Sequence, residues 1–233
     1  MTEFTTWRSL VDGAEISAIP DTRVEDWEWG GPASDRYDLE RGSFDNISID
    51  QNEPVELGDF SCKFDIEPDE DIEMYREFDD NDDDQDYHPD VGDKIYCWFY
   101  LEESDSSPRF GCLMDVEAGI DRTLDGCAVE INGRDNEFVL WLDFTDFTTD
   151  FSPEANKFYL ATLEFDEDNG DLTAEANLHD GPNIEDDIIE TVTGTDTDSD
   201  LIGNRDVGFA DTRVPNNIVF DDVRAEIGGA ELS

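Results

Sequence analysis

Two groups of carboxylates have a spacing that would place them on one face of a strand. Glu164 and Asp166 lie two residues apart, and Glu67, Asp69 and Asp71 repeat that spacing. Alternate residues of a strand project from one face, so one carboxyl could protonate a leaving group while another attacks. In a chain with 64 acidic residues, about five such groups arise by chance. We therefore predict that these carboxylates are not catalytic and that the protein is not an enzyme.

A run of aspartates supplies the candidate metal ligands. Asp82, Asp84 and Asp86 offer the oxygen donors that Ca²⁺ and Mg²⁺ prefer, and these three form the candidate site. Adjacent carboxylates alone do not define a cage, so a diffuse counterion cloud is the alternative. His88 follows the run and either assists a cation site or is a solvated loop histidine. The sequence indicates no other cofactor.

The cysteines do not have the spacing of a metal or redox motif. No Cys-x-x-Cys pair occurs, which argues against a zinc ribbon or a thioredoxin-like site. Each cysteine lies in or beside an apolar run, so we predict small buried thiols. One or two disulfides of an extracellular particle are the alternative. The four residues are Cys62, Cys97, Cys112 and Cys127.

Two tryptophans form the candidate partner-binding site. Trp27 and Trp29 lie two residues apart in the segment Glu25–Gly31, so both could face one side of an extended chain. Such a pair can stack on a sugar ring or anchor a subunit contact. The alternative is that the two rings cap a hydrophobic core.

The net charge of −50 on 233 residues limits the solvent conditions and the kinds of partner that suit the protein. The many carboxylates repel one another in dilute buffer. At about 1 M salt the Debye length falls to roughly 3 Å, so most of this repulsion is screened. Because 37% of the residues are hydrophobic, the chain can still build a core. The composition is typical of a protein adapted to concentrated salt, as in halophilic archaea. No basic patch is present, so nucleic acid is not an expected partner.

The sequence also argues against a membrane partner. No apolar run approaches the roughly 20 residues that a membrane span requires. The segment Met1–Leu10 lacks the basic and apolar regions of a signal peptide.

Short β-prone runs alternate with clusters of Asp, Gly, Asn and Pro, which predicts a sandwich or barrel of antiparallel strands. Asn169-Gly170 and Asn132-Gly133 predict hairpin turns, because Asn-Gly readily supplies positive φ. The pair Asp221-Asp222 interrupts an apolar alternation and predicts a bulge. Thr193–Asp200 is predicted to be a polar loop. The predicted strands are Asp59–Ile66, Lys94–Leu101, Arg109–Asp115, Cys127–Ile131, Glu137–Asp143, Lys157–Phe165, Asp171–Leu178, Asp206–Ala210 and Asn217–Ile227.

Several segments occur in an order that suggests a known fold. They are Pro89–Asp93 before a strand, Arg109-Phe110-Gly111, Phe138–Asp143, Asn156–Glu164, and the ending Val207-Gly208-Phe209 followed by Ile218–Arg224. From about Pro54 to Ile227 this order resembles the concanavalin A-like lectin/glucanase superfamily, which includes laminin G-like domains. The resemblance implies an all-β, antiparallel jelly-roll β-sandwich of two curved sheets. We accordingly divide the chain into residues 1–55, an N-terminal extension or arm packing on the sandwich, and residues 56–233, the jelly-roll domain.

The implied fold does not determine an activity, because function depends on the site. We predict a non-enzymatic structural or attachment protein, a virion surface component (capsid decoration, turret or tail) of a virus of halophilic archaea. Its partners would be other copies of itself or virion proteins, with a cell-surface glycan as a further ligand. Its location would be the virion or the extracellular space. The alternative is a carbohydrate-binding or glucanase-like protein of a halophilic archaeon.

Overall fold

The computed structural model describes residues 22–25, 27–51, 58–65, 71–76, 88–114, 126–204, 206–211 and 217–228. These residues form strands and two short 3₁₀ helices, η1 (Ala33–Asp35) and η2 (Phe44–Asn46). No helix in the described ranges is long and apolar enough to cross a membrane. The strands are β1 (Thr22–Glu25), β2 (Asp38–Arg41), β3 (Ile47–Asp50), β4 (Ser61–Asp65), β5 (Ile72–Arg76), β6 (Lys94–Leu101), β7 (Pro108–Met114), β8 (Cys127–Asn132), β9 (Glu137–Leu142), β10 (Thr145–Asp150), β11 (Lys157–Asp168), β12 (Asp171–His179), β13 (Ile188–Asp196), β14 (Asp206–Asp211) and β15 (Asn217–Glu226).

The strands are arranged in two antiparallel sheets. The eight-stranded sheet has the order β13-β12-β11-β6-β15-β4-β3, and β1 joins it by pairing with β15. The seven-stranded sheet has the order β10-β9-β8-β7-β14-β5-β2. Neighbours in these orders come from distant parts of the sequence, such as β6 beside β15 and β7 beside β14. The fold is an all-β jelly-roll sandwich, as predicted.

Apolar side chains from the two inner faces fill the space between the sheets. Phe209 of β14 and Phe220 of β15 belong to opposite sheets, and their ring centroids are 5.0 Å apart. Phe110 of β7 packs on Phe209, and Phe99 of β6 packs on Phe220. Each aromatic pair adds roughly 0.5–1.5 kcal/mol beyond the area that it buries. These rings tie the two sheets together.

The structure contains all nine strands predicted from the sequence, within three residues at each end. The register of β15 against β6 shifts between Phe220 and Val223, which confirms the bulge predicted at Asp221-Asp222. Asn169 and Gly170 both have positive φ in the β11–β12 hairpin, as predicted. The β8–β9 hairpin is also present, but neither Asn132 nor Gly133 has a positive φ; in this turn the positive φ lies at Asn136.

Six of the described strands were not predicted from the sequence: β1, β2, β3, β5, β10 and β13. β10 and β13 end their sheets, and most of their residues are at least partly exposed. Apolar side chains are sparse on these two strands: Phe147 of β10 and Ile189 and Val192 of β13 contact the core. Their apolar alternation is therefore weaker than that of an inner strand. The predicted loop Thr193–Asp200 is wrong over its first half, because 193–196 pair with β12. Alternating threonines favour this extended conformation.

Residues 22–51, which lie in the predicted N-terminal extension, supply strands to both sheets. β1 pairs with β15, β2 with β5 and β3 with β4. The described part of this segment is therefore built into the sandwich.

Candidate functional site

The outer face of the seven-stranded sheet carries a charged pair beside a tryptophan. Strand register places Arg109 of β7 opposite Glu130 of β8, and Glu130 opposite Val139 of β9. Trp141 follows Val139 by two residues in β9, so it projects from the same face. Phe138 and Leu140 alternate with these residues and are buried in the core. The alternation of β9 thus explains why an indole lies on the outer face.

Glu130 holds both of its neighbours. Its Oε2 accepts hydrogen bonds from Arg109 Nε at 3.1 Å and Nη2 at 2.9 Å, and from Trp141 Nε1 at 2.8 Å. The guanidinium carbon of Arg109 lies 5.4 Å from the centre of the Trp141 ring, within the range of a cation–π contact. Glu130 is 3% exposed and Arg109 is 5% exposed. The indole is thus held by a contact at its edge and by another over its face.

Trp141 remains partly exposed beside the edge strand β10. Register places Asp146 opposite Trp141 and Thr148 opposite Val139, and both β10 residues are exposed. We call Trp141, Asp146 and Thr148 the Trp141 patch. An aromatic ring beside carboxylate and hydroxyl groups can combine stacking with hydrogen bonds. A polyhydroxylated ligand such as a sugar needs both kinds of contact.

The β9–β10 hairpin ends in a strained turn close to this patch. Asp143 and Phe144 have φ values of 43° and 62°, and positive φ is rare for a residue as bulky as Phe. Phe144 is 51% exposed. Burial, together with the nearby Asp200 and Asp196, raises the pKa of Asp143. The turn therefore presents an aromatic ring to solvent next to acidic residues.

A second Glu–Trp–Arg arrangement involves one of the predicted partner-binding residues. Trp29 Nε1 donates to Glu25 Oε1 at 3.3 Å, and the guanidinium carbon of Arg36 lies 5.0 Å from the centre of the Trp29 ring. Like Trp141, Trp29 is partly exposed, while Glu25 is buried. A partner-binding role for Trp29 stays a prediction.

Trp27 does not share the surface of Trp29. The backbone of Trp27 has a φ of 55°, and its side chain is completely buried. The ring centroid of Trp27 lies 5.1 Å from that of Phe209 and 5.7 Å from that of Tyr37. A ring with no exposed surface cannot contact a partner, so the predicted partner-binding role is corrected for Trp27. Its ring belongs to the core, the alternative that the sequence left open.

Glu25 organises the backbone and the side chains around Trp27. Glu25 Oε1 accepts the Trp27 backbone N–H at 2.9 Å, and Oε2 accepts the Tyr37 hydroxyl at 2.6 Å. Arg76 Nη1 lies 3.8 Å from the same Oε2. Burial raises the pKa of Glu25, and the hydrogen bonds from Tyr37 and Trp27 oppose this rise. A buried carboxyl with this many partners is accommodated in the core as a structural group.

Of the carboxylates with hydrolase-like spacing, Glu164 and Asp166 lie away from the Trp141 patch, on the other sheet, and Asp71 forms an ion pair with Arg41. Glu164 and Asp166 belong to β11; Glu164 forms an ion pair with Lys94, and Asp166 is exposed. Glu67 and Asp69 lie outside the described residues. The structure therefore does not bring Glu164 and Asp166 together with the aromatic surface of Trp141.

The predicted metal ligands Asp82, Asp84 and Asp86 also lie outside the described residues, so the metal site stays a prediction. In the described ranges no three His, Cys, Asp or Glu side chains are arranged to hold a metal ion. His179 ends β12 in a buried position, with Nδ1 3.0 Å from the carbonyl oxygen of Asp186. Burial lowers the pKa of His179.

The four cysteines are free and buried, which confirms the prediction of small buried thiols. Cys112 and Cys127 face each other on β7 and β8, and the thiol of Cys112 donates to the Cys127 carbonyl oxygen at 3.5 Å. Burial raises the pKa of Cys62, Cys97 and Cys112 well above the ordinary value. Because thiolates are disfavoured there, these thiols pack as structural groups.

Comparisons with known proteins show the fold. No protein-family model and no curated protein matches the sequence. A Bacillus subtilis protein with a galectin-like fold has a TM-score of 0.53 at 11% identity, over 89% of this chain and 97% of that one. A glycosyl hydrolase family protein from Mycobacterium fortuitum has a TM-score of 0.52 at 8% identity, over 90% and 100%. The exoplasmic/lumenal domain of VIP36, in its Ca²⁺-bound form, has a TM-score of 0.51 at 8% identity, over 90% of each chain.

The galectin-like neighbour confirms the jelly-roll fold that the sequence resemblance implied. Identities this low do not transfer residues, so the site must be argued from the side chains of this chain. Alternation along β9 is enough to place Trp141 on the face opposite Phe138 and Leu140, but the sequence does not reveal the contacts with Glu130 and Arg109. Those contacts depend on the register of three strands, for which the sequence carries no direct signal.

Proposed function

We propose that this protein is a non-enzymatic, lectin-like attachment protein that binds glycans at the Trp141 patch. The observation that carries the proposal is a partly exposed indole fixed at its edge by Glu130, beside exposed polar groups on β10. The lectin-like fold supports the proposal without determining it.

A fixed indole suits this role for a physical reason. Stacking on a sugar ring requires a flat apolar surface, and an indole already held in place loses little conformational entropy when the ligand binds. Asp146 accepts hydrogen bonds from sugar hydroxyls, and the Thr148 hydroxyl both donates and accepts. The ligand class is therefore a neutral or cationic glycan, because the exposed Asp146 carboxylate would lie directly against the charge of an anionic one.

The binding test compares two similar tryptophans. Trp141→Ala and Trp29→Ala each remove an indole whose N–H donates to a buried glutamate and whose ring contacts an arginine. In concentrated salt, a panel of neutral oligosaccharides is titrated against tryptophan fluorescence and by calorimetry. We expect Trp141→Ala to weaken binding roughly tenfold or more, as for a central aromatic contact, and Trp29→Ala to leave binding unchanged. Equal affinity of Trp141→Ala and the unsubstituted protein would contradict the proposal.

The proposed setting is the surface of a virus particle of halophilic archaea, or another extracellular location in concentrated salt. The charge of −50 supports the high-salt setting, and a β-sandwich is an architecture that viral capsid proteins use. In this setting its partners would be other copies of itself or virion proteins. Proteomics of purified particles, compared with the host cell fraction, tests the location. Absence of the protein from the particles would contradict the virion assignment and leave glycan binding to be judged separately.

We further propose that the protein performs no catalysis and that Ca²⁺ or Mg²⁺, if bound, is held by Asp82, Asp84 and Asp86. Incubation with β-glucans in concentrated salt tests the first proposal. Turnover that disappears in Glu164→Gln would overturn it in favour of a glucanase. Calorimetric titration of Ca²⁺ into the protein and into an Asp82→Asn/Asp84→Asn/Asp86→Asn variant tests the second. Identical isotherms would exclude these ligands.

A further inference from the structure

The segment that joins the edge strands of the two sheets contains a modification motif. Of the twelve asparagines in the sequence, only Asn46 is followed by a non-proline residue and then by Ser or Thr, in Asn46-Ile47-Ser48. This is the acceptor motif for N-linked glycosylation in secreted proteins. Its place in the fold decides whether the motif can be used.

Asn46 lies at the rim of the sandwich. It is the last residue of η2, which leads from β2 at the edge of the seven-stranded sheet to β3 at the edge of the eight-stranded sheet. Pairing of β3 with β4 begins at Ile47, so Asn46 precedes the sheet ladder. The turn supplies its own backbone hydrogen bonds, with Asn46 N–H donating to the Ser43 carbonyl oxygen at 3.0 Å.

The alternation of side chains along β3 places Ser48 of the motif on the face away from the core. Ile47 and Ile49 pack against the core, whereas Ser48 is exposed. Residues two apart in an extended segment project to one side, and Ile47 is extended with φ −120° and ψ 122°. Asn46 and Ser48 therefore share the side away from the core, and Asp45 beside them is also exposed. Asn46 itself is partly exposed at this rim.

We propose that Asn46 is an N-glycosylation site that carries an oligosaccharide on its side-chain amide nitrogen. The co-reactant is an oligosaccharide linked through its anomeric carbon to a lipid phosphate. A bond forms between Asn46 Nδ2 and the anomeric carbon, while the bond from that carbon to the phosphate oxygen breaks. The phosphate leaves with the electron pair, and a base of the transferase takes the amide proton. The inference does not depend on glycan binding at Trp141, but it rests on the extracellular setting proposed above, because the lipid-linked donor is used on chains that are exported.

The test uses variants that separate the motif from the asparagine. Protein recovered from its native source, or made there as Ser48→Ala, Ser48→Thr and Asn46→Gln, is analysed by intact mass and by fragmentation of the peptide containing Asn46. The unsubstituted protein and Ser48→Thr should carry a glycan on Asn46. Ser48→Ala should lose it completely, although Asn46 is still present. Circular dichroism in concentrated salt confirms that Ser48→Ala is folded, which we expect because Ser48 lies on the exposed side.

Two results would overturn the inference. One is an unmodified Asn46 in the unsubstituted protein. The other is a glycan that persists in both Ser48→Ala and Asn46→Gln, since it would then be attached elsewhere. Loss of the glycan together with unchanged oligosaccharide binding would leave the Trp141 proposal intact, so the two proposals fail independently.

Discussion

Trp141 on β9 donates its indole N–H to Glu130 on β8 at 2.8 Å, across the outer face of the seven-stranded sheet. The same carboxylate oxygen accepts two hydrogen bonds from Arg109 on β7. One acidic side chain thus connects three neighbouring strands and sets the orientation of a partly exposed aromatic ring. The local geometry of this face depends on Glu130.

Removing Glu130 should destabilise the protein strongly. Glu130→Ala removes the carboxylate that accepts two hydrogen bonds from the buried guanidinium of Arg109, and breaking a buried pair from one side costs about 3–5 kcal/mol. The double variant Arg109→Met/Glu130→Leu removes both charges and should cost less than Glu130→Ala. Denaturant unfolding in concentrated salt measures the difference. A double variant less stable than Glu130→Ala would show that the charge left on Arg109 is not the cause.

Gly194 on β13 should tolerate no side chain. A Cβ at this position would lie 2.6 Å from the ring of Phe147 on β10, closer than van der Waals contact allows. We expect Gly194→Ala to lower the free energy of unfolding by about 1–3 kcal/mol, as overpacking does. Phe147→Leu frees space beside Gly194. Gly194→Ala should therefore lower the free energy of unfolding by less in the Phe147→Leu background than in the unsubstituted protein. If Gly194→Ala unfolds at the same denaturant concentration as the unsubstituted protein, the two strands are not packed this closely.

Stability should fall in mild acid because of His179. Burial lowers the pKa of its imidazole below the ordinary value of 6.5, so the unfolded state binds the proton more readily than the folded state. The contribution of His179 is therefore complete above pH 6.5 and decreases as the pH falls below that value. His179→Gln should flatten the dependence of the unfolding free energy on pH between about 5 and 7. A slope unchanged by the substitution would assign the effect to other groups.

The fold should require concentrated salt. Each of the three lysines forms an ion pair with a neighbouring acid. The 64 acidic residues nevertheless far outnumber the 14 Lys and Arg side chains, so most carboxylates depend on salt for screening. Dialysis into dilute buffer should abolish the β signal in circular dichroism. The four buried cysteines should become reactive to an alkylating reagent in the same transition. Full thermal stability in dilute buffer would contradict this expectation.

Local sequence patterns predicted nine of the fifteen described strands and the buried thiols. A bulge at Asp221-Asp222 and a turn at Asn169-Gly170 follow from alternation and from backbone preference alone. These features depend on neighbours along the chain, so one sequence is enough to predict them. The edge strands β10 and β13 were not predicted because few of their side chains are apolar and contact the core, so their periodic signal is weak.

The tertiary structure alone decided which tryptophans face solvent. Trp27 and Trp29 are two residues apart, yet one is buried and the other is partly exposed, because the positive φ of Trp27 breaks the alternation that an extended segment would follow. The environment of Trp141 depends on Glu130 and Arg109, which reach it only through the register of β7, β8 and β9. Register is set by the packing of whole sheets, since a slip of one residue would turn every side chain of a strand to the opposite face.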